Sequence, residues 1–257
     1  MPDSRNDLQD RLDVGYVEVL AGAGFSTEHL ATLSLPQLMW VSPEYVDAPL
    51  RVMFLGKETN GWISKLRLDS YYDGRCTLED LYQRYRKQLD KPGFRGAFTQ
   101  TLTHTAKRLT GGSRQAIAYG NVLKTDWYQG NTSHRNSLHY AEELREVSRK
   151  ILRLEVEVLQ PHVLIFACGF RHADFISSAL GAFKDIQKHE RKCLHEFTLT
   201  GVPGVPAFLL RHPQAHASKK SAKPTRFLKS RVYYDLAIDL IKERFPETSV
   251  AAGTVSP

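Results

Sequence analysis

The chain has 257 residues, a hydrophobic fraction of 42%, a charged fraction of 25% and a formal net charge of +7. These fractions are ordinary for a globular protein, and no apolar run approaches the roughly 20 residues that a membrane-spanning helix requires. The first residues are too charged for a secretory signal, and three widely spaced cysteines argue against a disulfide framework or a structural metal site. The composition therefore predicts a cytoplasmic protein that has no cofactor and does not contact a membrane.

Taken in chain order, the hydrophobic pattern predicts helices that alternate with short strands. Residues 7–40 carry a helical pattern, which Gly22 and Gly24 interrupt. Four strands are predicted, at residues 52–55, 116–122, 163–167 and 207–210. Helices are predicted at residues 78–89, 98–109, 142–159 and 227–244. This alternation predicts an α/β fold with a doubly wound sheet of about four mainly parallel strands flanked by helices.

The same pattern predicts the domain organisation. We expect residues 1–246 to form one α/β domain, with residues 1–45 as a helical N-terminal extension packed on it. Residues 247–257 are expected to be a disordered tail. We expect the protein to be a monomer.

Polar residues stand at or just after the carboxyl ends of three of the predicted strands. The first strand ends in GKETNGW, residues 56–62, the second carries Asn121, and the fourth is followed by His212 and Pro213. Ligands of doubly wound sheets usually bind at the carboxyl ends of the strands. Taken singly, a buried asparagine and a histidine after a strand are more often structural, so only their combination indicates a site.

A basic run lies shortly after the third of these polar clusters. Residues 219–231 include six Lys or Arg residues and no acidic residue. A lone run of this kind is most often a solvated helix face. Its position next to the predicted site instead favours contact with nucleic-acid phosphates.

The three strand ends, GKETNGW, NVLK at residues 121–124 and the His212-Pro213 pair, resemble motifs of the uracil-DNA glycosylase superfamily. Their order and spacing match over most of residues 51–244. The chain departs from the family pattern in its first motif, which is neither GQDPYH nor GEAPG, and in Gln214, Ala215 and His216 after His-Pro. The four cluster-binding cysteines of one branch are absent, which predicts no iron–sulfur cluster. The chain therefore resembles an outlying member.

The resemblance implies a monofunctional DNA glycosylase that flips a base out of DNA and hydrolyses its N-glycosidic bond, leaving an abasic site. Glu58 would position or activate water, Asn121 would read the base edge, and His212 would donate to the pyrimidine oxygen. The base pocket would be formed by Gly56, Thr59, Asn60, Gly61, Trp62 and Tyr72. DNA phosphates would be held by Lys57, Lys124, Arg211, Lys219, Lys220, Lys223 and Arg226.

The substrate and the role stay open at this point. Asn60 and Gly61 stand near where the uracil-specific branch has a tyrosine that closes the pocket, which leaves room for a larger 5-substituted pyrimidine such as hydroxymethylated or glucosylated phage cytosine. Uracil and a deaminated purine stay open as substrates. The corresponding roles are DNA repair and anti-phage defence. Two alternatives are a non-catalytic nucleic-acid-binding module with the same fold and an enzyme that cleaves free nucleosides or nucleotides.

Overall fold

A computed structural model describes residues 4–59, 66–90, 96–127, 137–214 and 226–246. The predicted tail at residues 247–257 lies outside the described residues. Within those ranges the buried apolar side chains form one continuous hydrophobic core. No helix in this part of the chain is both long and apolar enough to cross a membrane.

The N-terminal region contains three helices, α1 (Arg5–Ala21), α2 (Thr27–Thr32) and α3 (Pro43–Val46). The predicted helical pattern of residues 7–40 is therefore wrong beyond Thr32. The segment that follows is extended because Pro36 lacks an N–H group and disfavours the helical conformation of the preceding residue. Its backbone N–H groups donate to other parts of the chain instead, Ser34 to the carbonyl of Asp126 at 2.8 Å and Gln37 to that of Lys124 at 2.7 Å.

The described residues form a six-stranded sheet, and not the predicted sheet of about four strands. The strands are β1 (Val52–Gly56), β2 (Ile117–Asn121), β3 (Val163–Phe166), β4 (Phe183–Glu190), β5 (Leu194–Leu199) and β6 (Val202–Leu210). They lie in the order β2-β1-β3-β6-β5-β4. The first four strands in that order are parallel, and they correspond to the four predicted strands. The hairpin of β4 and β5 extends the sheet with antiparallel pairing.

The other helices lie between and after these strands. They are α4 (Asp69–Tyr72), α5 (Leu78–Asp90), α6 (Ala97–Thr110), α7 (Ser137–Tyr140), α8 (Glu142–Leu159), α9 (Ala173–Leu180) and α10 (Arg226–Arg244). Short 3-10 helices precede β2 and follow β3, at Arg114–Ala116 and Phe170–His172. The four predicted helices coincide with α5, α6, α8 and α10 to within one residue at each end.

Helices cover both faces of the parallel strands. The ring of Phe54 in β1 contacts the rings of Phe98 in α6 and Tyr234 in α10. The next residue, Leu55, points to the opposite face because side chains alternate along a strand. On that face α8 packs against α1 and α9. The parallel half of the sheet is therefore doubly wound, as the alternating pattern predicts.

Candidate functional site

The carboxyl ends of the four parallel strands meet at one edge of the sheet. Gly56 at the end of β1 is paired with Asn121 at the end of β2. The N–H of Ala167, just beyond β3, donates to the carbonyl of Leu55 at 2.7 Å. The N–H of Gly169 donates to the carbonyl of Leu210, the last residue of β6, at 3.0 Å. The residues that follow these strands are therefore brought together.

Four titratable side chains come together at this edge, and we call them the edge cluster: Lys57, Glu58, His172 and His212. Lys57 Nζ lies 2.6 Å from Glu58 Oε1, and the Glu58 side chain is only 8% exposed whereas that of Lys57 is 41% exposed. Lys57 and His172 both act electrostatically on His212, and Glu58 acts on His172. The cluster joins residues from the ends of β1, β3 and β6.

His212 is held as a neutral imidazole. Burial lowers the pKa of His212 to about 4, and the nearby Lys57 and His172 contribute to this shift. Its Nδ1 accepts a hydrogen bond from the backbone N–H of Gln214 at 3.2 Å. Because an accepting ring nitrogen carries no proton, the proton of the neutral ring is on Nε2. His212 therefore presents a hydrogen-bond donor at neutral pH.

His172 is a member of the edge cluster that the strand-end motifs do not predict. It lies at the end of the 3-10 helix that follows β3 and is buried, with 8% of its surface exposed. Burial lowers its pKa, while Glu58 opposes the shift and Lys57 supports it. Within the described residues its Nδ1 is buried and makes no hydrogen bond. A sequence signal was present, since a Gly-x-x-His sequence directly follows the third strand at residues 169–172.

Gly169 brings the β3 end close to His212. Its φ angle of +84° is one that glycine adopts readily and that other residues rarely adopt. A Cβ atom at Gly169 would lie 3.6 Å from the backbone nitrogen of His212. The chain therefore turns there in direct contact with the residue that follows β6.

Asn121 lies beside Gly56 with its amide group held in place. Its Nδ2 donates to Oε1 of Gln37 in the extended N-terminal segment, and the residue is 9% exposed. A Cβ atom at Gly56 would collide with Oδ1 of Asn121 and would lie 2.7 Å from the ring of Phe98. Gly56 is therefore required for the Asn121 side chain to occupy this position. The sequence pattern predicts Gly56 and Asn121 as site residues but not Gln37.

Two residues assigned to the base pocket make other contacts. The hydroxyl of Thr59 donates to the buried carboxylate of Asp126 and lies 3.1 Å from the hydroxyl of Ser34. Thr59 thus joins the segments that follow β1 and β2. The hydroxyl of Tyr72 donates to the carbonyl of Leu20 at the end of α1 at 2.7 Å. The structure therefore places Tyr72 against the N-terminal extension and not in the edge cluster.

The assignment of Lys124 to DNA phosphates is wrong. Both Lys124 and Glu155 of α8 are 0% exposed, and Lys124 Nζ forms an ion pair with Glu155 Oε2. The other oxygen of Glu155 accepts from the hydroxyl of Tyr16 in α1 at 3.0 Å. Burial lowers the pKa of Lys124 and raises that of Glu155, and the ion pair opposes both shifts. Lys124 therefore connects β2 to the helices and is not accessible to DNA.

Among the other assigned DNA-binding residues, Lys57 and Arg211 lie at the carboxyl edge and are partly exposed. The N–H of Arg211 donates to the carbonyl of Cys193 at 3.1 Å. Arg226 begins α10, but its side chain is not among those described. Asn60, Gly61, Trp62, Lys219, Lys220 and Lys223 lie outside the described residues.

The cysteines Cys76, Cys168 and Cys193 are buried and free. Within the described ranges no three His, Cys, Asp or Glu side chains are arranged to hold a metal ion.

No family model matches the sequence, and no curated protein matches it.

Proposed function

We propose that the protein is a monofunctional DNA glycosylase that acts on a flipped-out pyrimidine base and leaves an abasic site. The base is uracil or a 5-substituted cytosine, such as hydroxymethylated or glucosylated cytosine of phage DNA. A cytoplasmic role in DNA repair or anti-phage defence follows from that choice of base. The resemblance of the three strand ends to the uracil-DNA glycosylase superfamily is the starting point of this proposal.

The observation that carries the proposal is the meeting of Glu58, Asn121 and His212 at one edge of the sheet. These residues stand at or just after the ends of three different strands and are separated by up to 154 positions in the chain. The register of β1 and β2 and the contacts of Gly169 bring their backbones together. An arrangement of this kind at the carboxyl edge of a doubly wound sheet is typical of a ligand site.

The state of His212 fits the departure of a base. Negative charge develops on the pyrimidine oxygen as the glycosidic bond breaks, and a fixed donor stabilises that charge. Neutral His212 offers its Nε2 proton for this purpose without carrying a positive charge of its own. Loss of one preorganised donor of this type typically lowers the rate by about 10² to 10³-fold.

The position of Glu58 fits a second role at the sugar. Its carboxylate is largely buried and is held by Lys57. A carboxylate beside the anomeric carbon can stabilise the positive charge that develops there and can orient a water molecule for attack. Asn121, whose amide offers both a donor and an acceptor, would read the hydrogen-bonding edge of the base.

A panel of DNA substrates tests the proposal. Purified protein is incubated with duplexes that contain uracil, hypoxanthine or hydroxymethylcytosine and with glucosylated phage DNA, and alkali-labile abasic sites are counted. Base release from one of these substrates supports a glycosylase. Binding without release from any of them supports a non-catalytic module, and release from free nucleosides without any dependence on polymer supports a nucleosidase.

Two variants test the assignment of the site. We expect Glu58→Gln and His212→Ala to lower the single-turnover rate of base release by about 10² to 10³-fold while DNA binding persists. Lys184→Ala at the opposite end of the sheet is the matched control and keeps the wild-type rate. Near-normal rates in both site variants, with normal folding, would falsify the assignment.

A further inference from the structure

The β4–β5 hairpin places its turn at the same edge of the sheet as the edge cluster. Leu194, the first residue of β5, is paired with Leu210, the last residue of β6. The N–H of Arg211 donates to the carbonyl of Cys193 in the turn at 3.1 Å. Because β5 runs antiparallel to β6, the turn must lie beside the carboxyl end of β6. The hairpin therefore extends the site edge sideways by two strands.

This end of the hairpin carries exposed basic side chains. Arg191 and Lys192 in the turn are exposed, as is Arg171 in the 3-10 helix that follows β3, and Arg211 is partly exposed. We call these four residues the basic edge. None of them forms an ion pair with a carboxylate in the part of the chain that the structure describes. The two nearest carboxylates in sequence, Asp174 and Glu190, leave the basic edge with a net positive charge.

The basic edge lies within reach of one DNA strand bound at the proposed site. Lys192 and His212 are linked by two steps along the chain and one step between strands, which places their Cα atoms at most about 13 Å apart. Along the axis of a duplex, one strand carries a phosphate about every 3.4 Å, so a span of this length reaches phosphates within a few nucleotides of the base. Phosphates that flank a base held at the edge cluster would therefore meet the hairpin turn.

We infer that the basic edge binds the DNA backbone beside the edge cluster. The β4–β5 hairpin is then a phosphate-binding element of the proposed glycosylase, in addition to the basic run predicted at residues 219–231. This inference rests on the proposed function for its choice of partner. The turn is anchored by strand pairing to β6, so its cations are held at a fixed position relative to His212. Contacts of this kind set the register of the DNA and do not select the base.

The test removes the two turn cations and keeps the turn. The variant is Arg191→Ala with Lys192→Asn, because Lys192 has a φ angle of +56° and asparagine tolerates that conformation. The matched control is Lys184→Ala, an exposed lysine of β4, the strand that leads into the turn. Lys184 is paired with Thr198 near the other end of the hairpin, roughly 20 Å from the turn.

Binding of a fluorescein-labelled 25-base-pair duplex is measured by anisotropy over a series of KCl concentrations, together with single-turnover base release at saturating protein. We expect the turn variant to bind about ten- to a hundredfold more weakly at 0.1 M salt, with a salt slope smaller by about two. The Lys184→Ala control should match the wild type. The rate of base release at saturating protein should be unchanged in the Lys184→Ala control.

The outcomes separate this inference from the proposed function. A turn variant with the wild-type affinity and salt slope overturns the inference, even if the wild type releases a base. A wild type that releases no base but binds DNA with a slope that depends on the turn cations supports the surface and contradicts the glycosylase. A wild type that does not bind DNA overturns both.

Discussion

The protonation state of His212 depends on its neighbours in the edge cluster. Burial is the main reason for its low pKa, and the positive charge of Lys57 is the next. The backbone N–H of Gln214 donates a hydrogen bond to Nδ1, so the neutral ring keeps its proton on Nε2. A histidine with an ordinary pKa near 6.5 would be partly protonated at neutral pH. The cluster therefore determines both the charge and the tautomer of this residue.

Removal of the Lys57 charge should raise the pKa of His212. In Lys57→Met we expect the value to move upward from about 4 while it stays below 6.5, because the contribution of burial remains. The measurement is an NMR titration of the His212 ring proton between pH 3 and 8. Lys184→Met, at the opposite end of the sheet, should leave the titration unchanged. An unchanged value in Lys57→Met would show that the ammonium group does not act on this ring.

Single residues of the site differ in how far the sequence could identify them. Asn121 and His212 follow apolar runs that are unmistakable strands, so their placement at one edge was predictable. The burial of Lys124 was not, because its ion-pair partner Glu155 lies 31 positions away on a helix that also carries exposed acids. The burial of His172 was not predictable either, because it lies beside a contact between Gly169 and Leu210, which are 41 positions apart.

At the level of elements, the close contact of β1 and β2 depends on Gly56. A Cβ atom there would meet the Phe98 ring at 2.7 Å and would displace the Asn121 side chain. We expect Gly56→Ala to lower the free energy of unfolding by about 1 to 3 kcal/mol in urea denaturation. Base release should fall as well in protein that is still folded, because Asn121 has moved.

Gly112→Ala is the matched control for this prediction. A Cβ atom at Gly112 would make only ordinary contacts, the nearest at 3.4 Å. We therefore expect a change in unfolding free energy well below that of Gly56→Ala and a normal rate of base release. Equal stabilities of the two variants would mean that the contact of Gly56 with β2 and α6 is looser than described.

The buried ion pair between Lys124 and Glu155 joins β2 to α8. Lys124→Met leaves the Glu155 carboxylate buried without its counterion, and we expect a loss of about 3 to 5 kcal/mol in unfolding free energy. The double variant Lys124→Met with Glu155→Gln removes both charges and keeps an acceptor for Tyr16, so it should be more stable than the single variant. Urea denaturation of the three proteins decides this. A single variant as stable as the wild type would contradict the described burial.

The same elements show why part of the sheet was not predicted. The parallel strands are short apolar runs buried on both faces, a pattern that is easy to read. By contrast, β4 is mostly exposed and its sequence, FKDIQKHE, has too few apolar residues to indicate a strand. The first half of β6 contains Pro203, Gly204 and Pro206, which weaken the strand signal there. The hairpin forms because β6 offers its free edge, which is a property of the folded sheet.

At the level of the whole molecule, the sheet separates into two parts with different roles. The four parallel strands carry the core and position the edge cluster. The antiparallel hairpin adds exposed charge at the same edge. Its outer strand, β4, is mostly exposed and adds little buried surface. Changes in the turn should therefore affect the proposed DNA binding more than the free energy of unfolding, whereas changes near β1 and β2 should mainly lower the free energy of unfolding.

The whole molecule should also lose stability in mild acid. Burial is the first cause that lowers the pKa of four histidines, His162, His172, His195 and His212. Because these rings take up protons more readily when unfolded, unfolding is favoured as the pH falls below about 6.5. For His212 this loss continues down to its folded pKa of about 4.

We therefore expect the melting temperature to fall steadily between pH 6.5 and 5. Asp7, Asp73 and Asp80 have lowered pKa values through hydrogen bonds to their carboxylates, so their stabilising contribution is lost only below about pH 4. The expected fall in melting temperature between pH 6.5 and 5 is therefore assigned to the histidines. Between pH 6.5 and 5, His212 lowers the free energy of unfolding by at most about 1.4 kcal/mol per pH unit. His212→Gln should show a shallower fall than the wild type in calorimetry at the same pH values. A parallel fall in both proteins would mean that His212 is accessible to protons in the folded state, and this would contradict its proposed role as a neutral donor.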